Sequence, residues 1–275
     1  MTTTQTSRHL LDHDQVRFFD ENGYLVLRDR IPADLVDDLR RATAEWMDQG
    51  RHQAGPPGEE GDFKFAFRDG HEVMFRVDYV HSKGSAVSLQ LLGSPHVLGI
   101  AESLAGPNFV PTYESLVFKA EGDGAPIEWH QDAVHPRNHR IFNVDIYLDD
   151  SIAGEGALRV VPGSHRAAAD ICALTDTAGW DLPGAIEVEM RPGDVLVHDT
   201  MIVHGSPATQ GNRLRRTLYY EFRPAEQILV EGPWDAGWVD ARLRLVPLGL
   251  RAYADRQAAR GEAAEPYRWR VDESL

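Results

Sequence analysis

The stretch Glu128-Trp129-His130-Gln131-Asp132 decides how this 275-residue chain is read. His130 and Asp132 stand two positions apart. Alternate side chains of a strand share a face, so both can reach one ion while Gln131 points away. A distant histidine, His204, completes a set of two imidazoles and one carboxylate. Such a set holds one face of Fe(II) and leaves the opposite face open for oxygen chemistry. Zinc could occupy the same atoms, so ligand types alone do not name the metal. Because His204 must arrive on another strand, the pattern suits a barrel better than a helix bundle. Arg215 follows eleven positions after His204, a cation that could hold the far carboxylate of a dicarboxylic co-substrate.

Outward from this stretch the chain reads as short strands and turns. Asn143-Val144-Asp145-Ile146-Tyr147-Leu148-Asp149 alternates like a half-buried strand. If Val144, Ile146 and Leu148 pack outward, Asp145 and Tyr147 point into the barrel, where a carboxylate is costly unless paired or used; the alternative is that the apolar set faces inward. Strands are expected at 112–119, 127–132, 141–149, 157–161, 185–190, 194–198, 200–204 and 215–223, which argues for a sandwich or barrel. Towards the amino terminus, 12–21 has helical spacing and the Asn22-Gly23 pair stops it, followed by a short strand at 24–28. A second helix begins at Pro32 or Ala33, with Leu35, Val36, Leu39, Ala42 and Trp46 on one face. Residues 49–63 are rich in Gly, Pro and charge and read as a loop, either a linker or a lid over the site. Residues 86–105 look helical, interrupted near Gly93 and Pro95, and 240–264 is charged, Ala-rich and helical.

Composition bounds the function classes. Length alone would allow two domains, but all-β barrels of this size commonly form one, and no apolar run approaches the roughly 20 residues of a membrane span. The amino terminus lacks the apolar segment of a secretory signal, and a single cysteine, Cys172, fits a reducing cytoplasm. A formal charge of −15 argues against binding a phosphate backbone, which requires clustered Lys and Arg. The partner expected is a small-molecule substrate, with no nucleic acid or membrane, and nothing in the sequence specifies an oligomeric state.

The ordered series of the His130/Asp132 strand, 143–149, Gly154-Glu-Gly-Ala-Leu-Arg-Val-Val-Pro-Gly-Ser-His165, Arg191-Pro-Gly-Asp194 and Ile202-Val-His204-Gly205-Ser206 closely resembles the phytanoyl-CoA dioxygenase family of Fe(II)/2-oxoglutarate-dependent oxygenases. The resemblance is densest from Glu114 to Phe222, and 16–27 matches more weakly. It implies a mainly β fold with flanking helices, the double-stranded β-helix or cupin-like jelly roll, as one domain over 1–275. Within it, 1–109 would be a mostly helical outer part and lid, 110–225 the jelly-roll core and 226–275 a carboxy-terminal extension. It implies His130, Asp132 and His204 as the Fe(II) ligands, with 2-oxoglutarate and O2 as co-substrates. Asp132 argues against the related halogenases, in which a small residue replaces the carboxylate. Arg215, in preference to Arg213 and Arg216, would pair with the co-substrate's C5 carboxylate, and Ser206 would donate its hydroxyl to it. Lys119, Asp145, Tyr147 and His135 are candidate pocket residues, while His198 is read as lying behind the ligands.

The implied reaction converts 2-oxoglutarate to succinate and CO2 while hydroxylating a C–H bond of a small molecule, as in a tailoring step of specialised metabolism. Desaturation, epoxidation or oxidative cyclisation are alternatives on the same cofactor chemistry. A non-catalytic metal-binding jelly roll and a zinc hydrolase are the competing classes. Neither needs a carboxylate-binding arginine, so Arg215 with Ser206 separates them from the oxygenase.

Overall fold

The computed structural model describes residues 9–52, 61–68, 70–119, 124–209, 213–263 and 267. Helix α1 (His13–Asn22) starts where Asp12 accepts the Gln15 amide and Gln15 accepts that of Asp12, a reciprocal cap that satisfies two orphan donors. It stops at Gly23, whose φ of +77° is left-handed. Strand β1 (Tyr24–Leu27) and helix α2 (Ala33–His52) follow, the latter burying Leu35, Val36, Leu39, Ala42 and Trp46. A hairpin, β2 (Phe63–Arg68) and β3 (His71–Asp78), leads to helices α3 (Val87–Leu92) and α4 (Pro95–Ala105).

The remaining strands are β4 (Phe109–Lys119), β5 (Ile127–His130), β6 (Phe142–Tyr147), β7 (Leu158–Val160), β8 (Ile186–Val188), β9 (Val195–Asp199), β10 (His204–Ser206) and β11 (Arg215–Pro224). Helix α5 (Ile171–Ala178) interrupts them, and α6 (Ala225–Glu231), α7 (Ala236–Leu243) and α8 (Leu245–Ala259) close the described chain. Among the described residues, no helix is long and apolar enough to cross a membrane.

Two antiparallel sheets form the double-stranded β-helix. One has seven strands in the order β1-β9-β6-β11-β4-β3-β2, the other four in the order β5-β10-β7-β8. Period-2 alternation divides the larger sheet. Leu116, Phe118, Val144, Ile146, Val195, Val197, Leu218 and Tyr220 join the core formed with α1 to α4. Their neighbours Asn143, Asp145, Tyr147, Thr217, Tyr219 and Glu221 line a cavity between the sheets. A one-residue slip would exchange these faces, so the buried apolar side fixes what faces the cavity. Helix α8 lies so close to the α3–α4 junction that a Cβ on Gly93 would sit 1.9 Å from the Gly249 carbonyl carbon.

Several expectations need correction. The sheet is not confined to 110–225, because β1 and the β2–β3 hairpin extend it from the segment expected to be mostly helical. Residues 49–52 continue α2 and Phe63 begins β2, while the lid proposed across this stretch lies largely on 53–60, outside the described residues. The strand expected at 200–204 is a turn that delivers β10 at His204. The segments α5 and α6 were not anticipated.

Candidate active site

Strand pairing brings the candidate ligands together. His204 on β10 is the register partner of His130 on β5, and their rings stand 4.1 Å apart between centroids. Strand β5 ends at His130, so Asp132 lies two residues beyond the ladder, on a bend. It still reaches the same point, with Oδ1 3.2 Å from His130 Nε2 and 3.8 Å from His204 Nε2. One donor atom from each of the three residues lies within 4.8 Å of the others. Gln131 turns away as expected, donating to the Ala167 carbonyl and accepting from the Ala169 amide at 2.9 Å.

The backbone sets the imidazole tautomers. His130 Nδ1 is 2.7 Å from the Glu128 carbonyl and His204 Nδ1 2.9 Å from that of Ile202. A carbonyl only accepts, so each Nδ1 carries the proton and each Nε2 presents its lone pair to the centre. Burial pushes His204 down to about 3, keeping that ring neutral. For His130, burial also opposes the charged form, but the Asp132 carboxylate and the Glu128 carbonyl outweigh it and raise the pKa. Desolvation works against ionised Asp132 too, yet His204, His130 and His198 hold its carboxyl well below the usual range. Two imidazole nitrogens and one carboxylate, converging on one point beside open space, fit Fe(II).

The outer oxygen of the carboxylate has its own partners. Asn143 donates to Asp132 Oδ2 at 2.8 Å, and His198 Nε2 lies 3.2 Å from the same oxygen. The other nitrogen of His198, Nδ1, is 2.9 Å from Asp145 Oδ2. Burial disfavours a charged His198, but Asp145 and Asp132 together push it up to about 10. Asp145 does point inward, as the alternation of β6 implies, and it faces His198.

Arg215 opens onto the same cavity of about 490 Å³, a volume in the usual range for small-molecule sites. Its guanidinium donates to Ser206 Oγ at 2.9 Å and to the Gly156 carbonyl, and burial lowers its pKa. Among the described residues no carboxylate pairs with it. The two competing arginines are otherwise engaged. Arg213 is exposed and 3.9 Å from Glu155, while Arg216 faces the helices and forms a bidentate pair with Asp149 at 2.8 and 2.9 Å. The Ser206 hydroxyl donates to the Gly156 carbonyl at 2.9 Å and accepts from Lys119 at 2.8 Å as well as from Arg215. Tyr147 lines the cavity beside Arg215, its phenol pushed up by burial and by Asp145.

Two candidate pocket residues stand elsewhere. Lys119 is buried behind Ser206 and donates to the Pro207 carbonyl at 2.6 Å, outside the cavity lining. His135 is also outside the lining; its Nδ1 accepts from the Arg137 amide at 3.1 Å. The sequence reading missed Asn143, and it missed the wall of Arg76, Tyr113, Thr217, Tyr219 and Glu221. Stepping by two along β11 from Arg215 would have found three of these.

Comparisons with known proteins bear on the family and the fold. A profile of the phytanoyl-CoA dioxygenase (PhyH) family matches residues 19–217. A probable alpha-ketoglutarate-dependent hypophosphite dioxygenase of Stutzerimonas stutzeri is 25% identical over 189 residues, 62% of this chain and 65% of that one. The crystal structure of EvdMO1 superposes with a TM-score of 0.65 at 27% identity, over 77% of this chain and 49% of that one. EctD from S. alaskensis, solved with 2-oxoglutarate and 5-hydroxyectoine, gives a TM-score of 0.65 at 21% identity, over 80% and 79% of the two chains, and so speaks for the fold. The chain thus spans just under two thirds of the first relative and about half of EvdMO1. Since the profile match extends from residue 19 to residue 217, well over half of the chain, the chain belongs to the phytanoyl-CoA dioxygenase family of iron- and 2-oxoglutarate-dependent oxygenases.

Proposed function

We propose that the protein is an Fe(II)- and 2-oxoglutarate-dependent oxygenase that hydroxylates an unactivated C–H bond of a small molecule, as in a tailoring step of specialised metabolism. The observation that carries this reading is Arg215, a guanidinium with no carboxylate partner among the described residues, on the wall of the cavity that holds His130, Asp132 and His204. A structural metal site would have no use for such a cation, whereas a dicarboxylic co-substrate supplies its missing partner.

His130 Nε2, His204 Nε2 and Asp132 Oδ1 would hold the iron. Iron bound there supplies the redox chemistry by which 2-oxoglutarate, O2 and the C–H substrate become succinate, CO2 and the alcohol. The chain's own contribution is placement. Arg215 takes the C5 carboxylate in a bidentate pair, and Ser206 and the Gly156 carbonyl hold that guanidinium in place. Tyr147, between Arg215 and Asp145, closes the wall beside the co-substrate and limits water there. The substrate then lies along Thr217, Tyr219 and Tyr113, on the inner faces of β11 and β4. Arg76 in that wall is already paired with Asp78 at 2.8 Å. This favours a neutral or weakly cationic substrate over a CoA thioester, whose phosphates call for several uncommitted cations.

The test is succinate release from 2-oxoglutarate under air with Fe(II), screened against candidate small molecules with the hydroxylated product counted separately. Substrate-stimulated succinate matched by product supports the reading. Absence of any Fe(II)-dependent succinate, with or without substrates, would overturn it.

A further inference from the structure

The ligand Asp132 has an unusual mechanical position. Strand β5 ends at His130, and the next backbone tie beyond it is the Ala133 amide to the Thr200 carbonyl at 3.2 Å, so the Asp132 side chain, 29% exposed, stands outside the ladder. Its Oδ2 is held from the opposite sheet. Asn143 and His198 are register partners on β6 and β9, and both direct nitrogen atoms at that oxygen, at 2.8 and 3.2 Å. Asp145, two positions along β6 on the same face, lies 2.9 Å from His198 Nδ1, an ion-pair contact against the back of the ring. The contacts therefore run in a line from Asp145 through His198 to Asp132 Oδ2, leaving Oδ1 as the oxygen that faces His130 and His204.

We propose that His198, backed by Asp145 and assisted by Asn143, is a positioning residue that restrains Asp132 to a single coordinating oxygen. The inference rests on the iron and 2-oxoglutarate reading above. A co-substrate that chelates through two oxygens needs two adjacent positions. If Asp132 were free to pivot about its Cα–Cβ bond and tilt its carboxylate, Oδ2 could swing inward and take one of them. The clamp thus protects co-substrate binding more than metal binding. Outer partners of ligating residues commonly change affinity or activity by about 10- to 100-fold when removed. Here the loss should fall on 2-oxoglutarate.

The test compares His198→Leu, His198→Gln and Asp145→Asn with the wild type, all anaerobic. Fe(II) affinity is read by competition with a chromophoric chelator, and 2-oxoglutarate affinity by titrating the visible charge-transfer band. His198→Leu should keep its Fe(II) affinity within about threefold while its Kd for 2-oxoglutarate rises about 10- to 100-fold. His198→Gln can place an amide N–H near the Nε2 position and should recover most of that loss. Asp145→Asn, which is nearly isosteric and spares the core, should show the same split with smaller size, so the proposal remains testable if His198→Leu fails to fold. Unchanged 2-oxoglutarate affinity in Asp145→Asn and either His198 variant would overturn the proposal. So would parallel loss of iron and co-substrate binding with no recovery in His198→Gln, the mark of general structural damage. A wild-type protein that binds Fe(II) but gives no band with 2-oxoglutarate fails at the underlying reading instead, which separates the two failures.

Discussion

Replacing Arg215 with alanine probes the link between the metal cluster and a dicarboxylic co-substrate. In the structure its guanidinium is held by Ser206 Oγ at 2.9 Å and by the Gly156 carbonyl, and no carboxylate among the described residues competes for it. Truncating one partner of a desolvated, hydrogen-bonded ion pair costs about 2–5 kcal/mol. At about 1.4 kcal/mol per factor of ten, that range is about 30- to 4000-fold in affinity. A second cation narrows it. Lys119 is the register partner of Arg215 on β4, and its ammonium is 2.8 Å from Ser206 Oγ. With that charge left close by, the lower half of the range applies, about 2–3.5 kcal/mol or about 30- to 300-fold. The assay is anaerobic titration of the Fe(II)-loaded protein with 2-oxoglutarate. Two controls give the result its meaning. Arg213→Ala removes an exposed side chain 3.9 Å from Glu155 and should leave the Kd unchanged. Arg216→Ala breaks the bidentate pair with Asp149 under α2, so it should lower Tm while leaving the co-substrate affinity of the folded protein intact. Equal, small changes in Kd across all three variants would refute the assignment of Arg215.

Two further outcomes follow from the contacts. Ser206→Ala removes the hydroxyl that both Arg215 and Lys119 use, and the Kd for 2-oxoglutarate should rise about 10-fold, less than in Arg215→Ala, by the same titration. Asp194 is a pH-dependent stabiliser of the β1–β9 edge. Burial disfavours its charge, but the amides of Asp29 and Arg191, each at 2.9 Å, and the Arg28 guanidinium lower its pKa. A depressed carboxylate stabilises the fold above its unfolded pKa, near about 4, and loses that contribution as pH falls through the folded value. Asp194→Asn should therefore lower Tm at neutral pH, and thermal melts should show the deficit shrinking below about pH 4; a deficit constant with pH would count against this account.

Much of the site was legible because it follows strand periodicity. The alternation of 143–149 left two facings open, and the structure has the one in which Val144 and Ile146 pack against the helices while Asp145 and Tyr147 face the cavity. The His-x-Asp spacing likewise survives although β5 stops at His130, since the bend preserves the convergence. The β2–β3 hairpin was missed despite alternation in Phe63-Lys64-Phe65-Ala66-Phe67-Arg68 and the Asp69-Gly70 pair that favours a hairpin turn. There, a neighbouring Gly/Pro-rich run drew the reading towards loop. His198 was undervalued for another reason. Its significance depends on the register of β9 against β6 and on a carboxylate reaching across from the other sheet, and neither is written in local sequence. His135, three residues beyond Asp132, is not among the residues that line the cavity.

The central claim is that His130, Asp132 and His204 together hold one Fe(II) to which 2-oxoglutarate binds. The most direct measurement is the visible absorption of the anaerobic protein titrated with Fe(II) in the presence of 2-oxoglutarate. The account predicts a weak charge-transfer band that saturates at one iron per chain and disappears in both His130→Ala and His204→Ala. A band retained in both variants at wild-type intensity would contradict it.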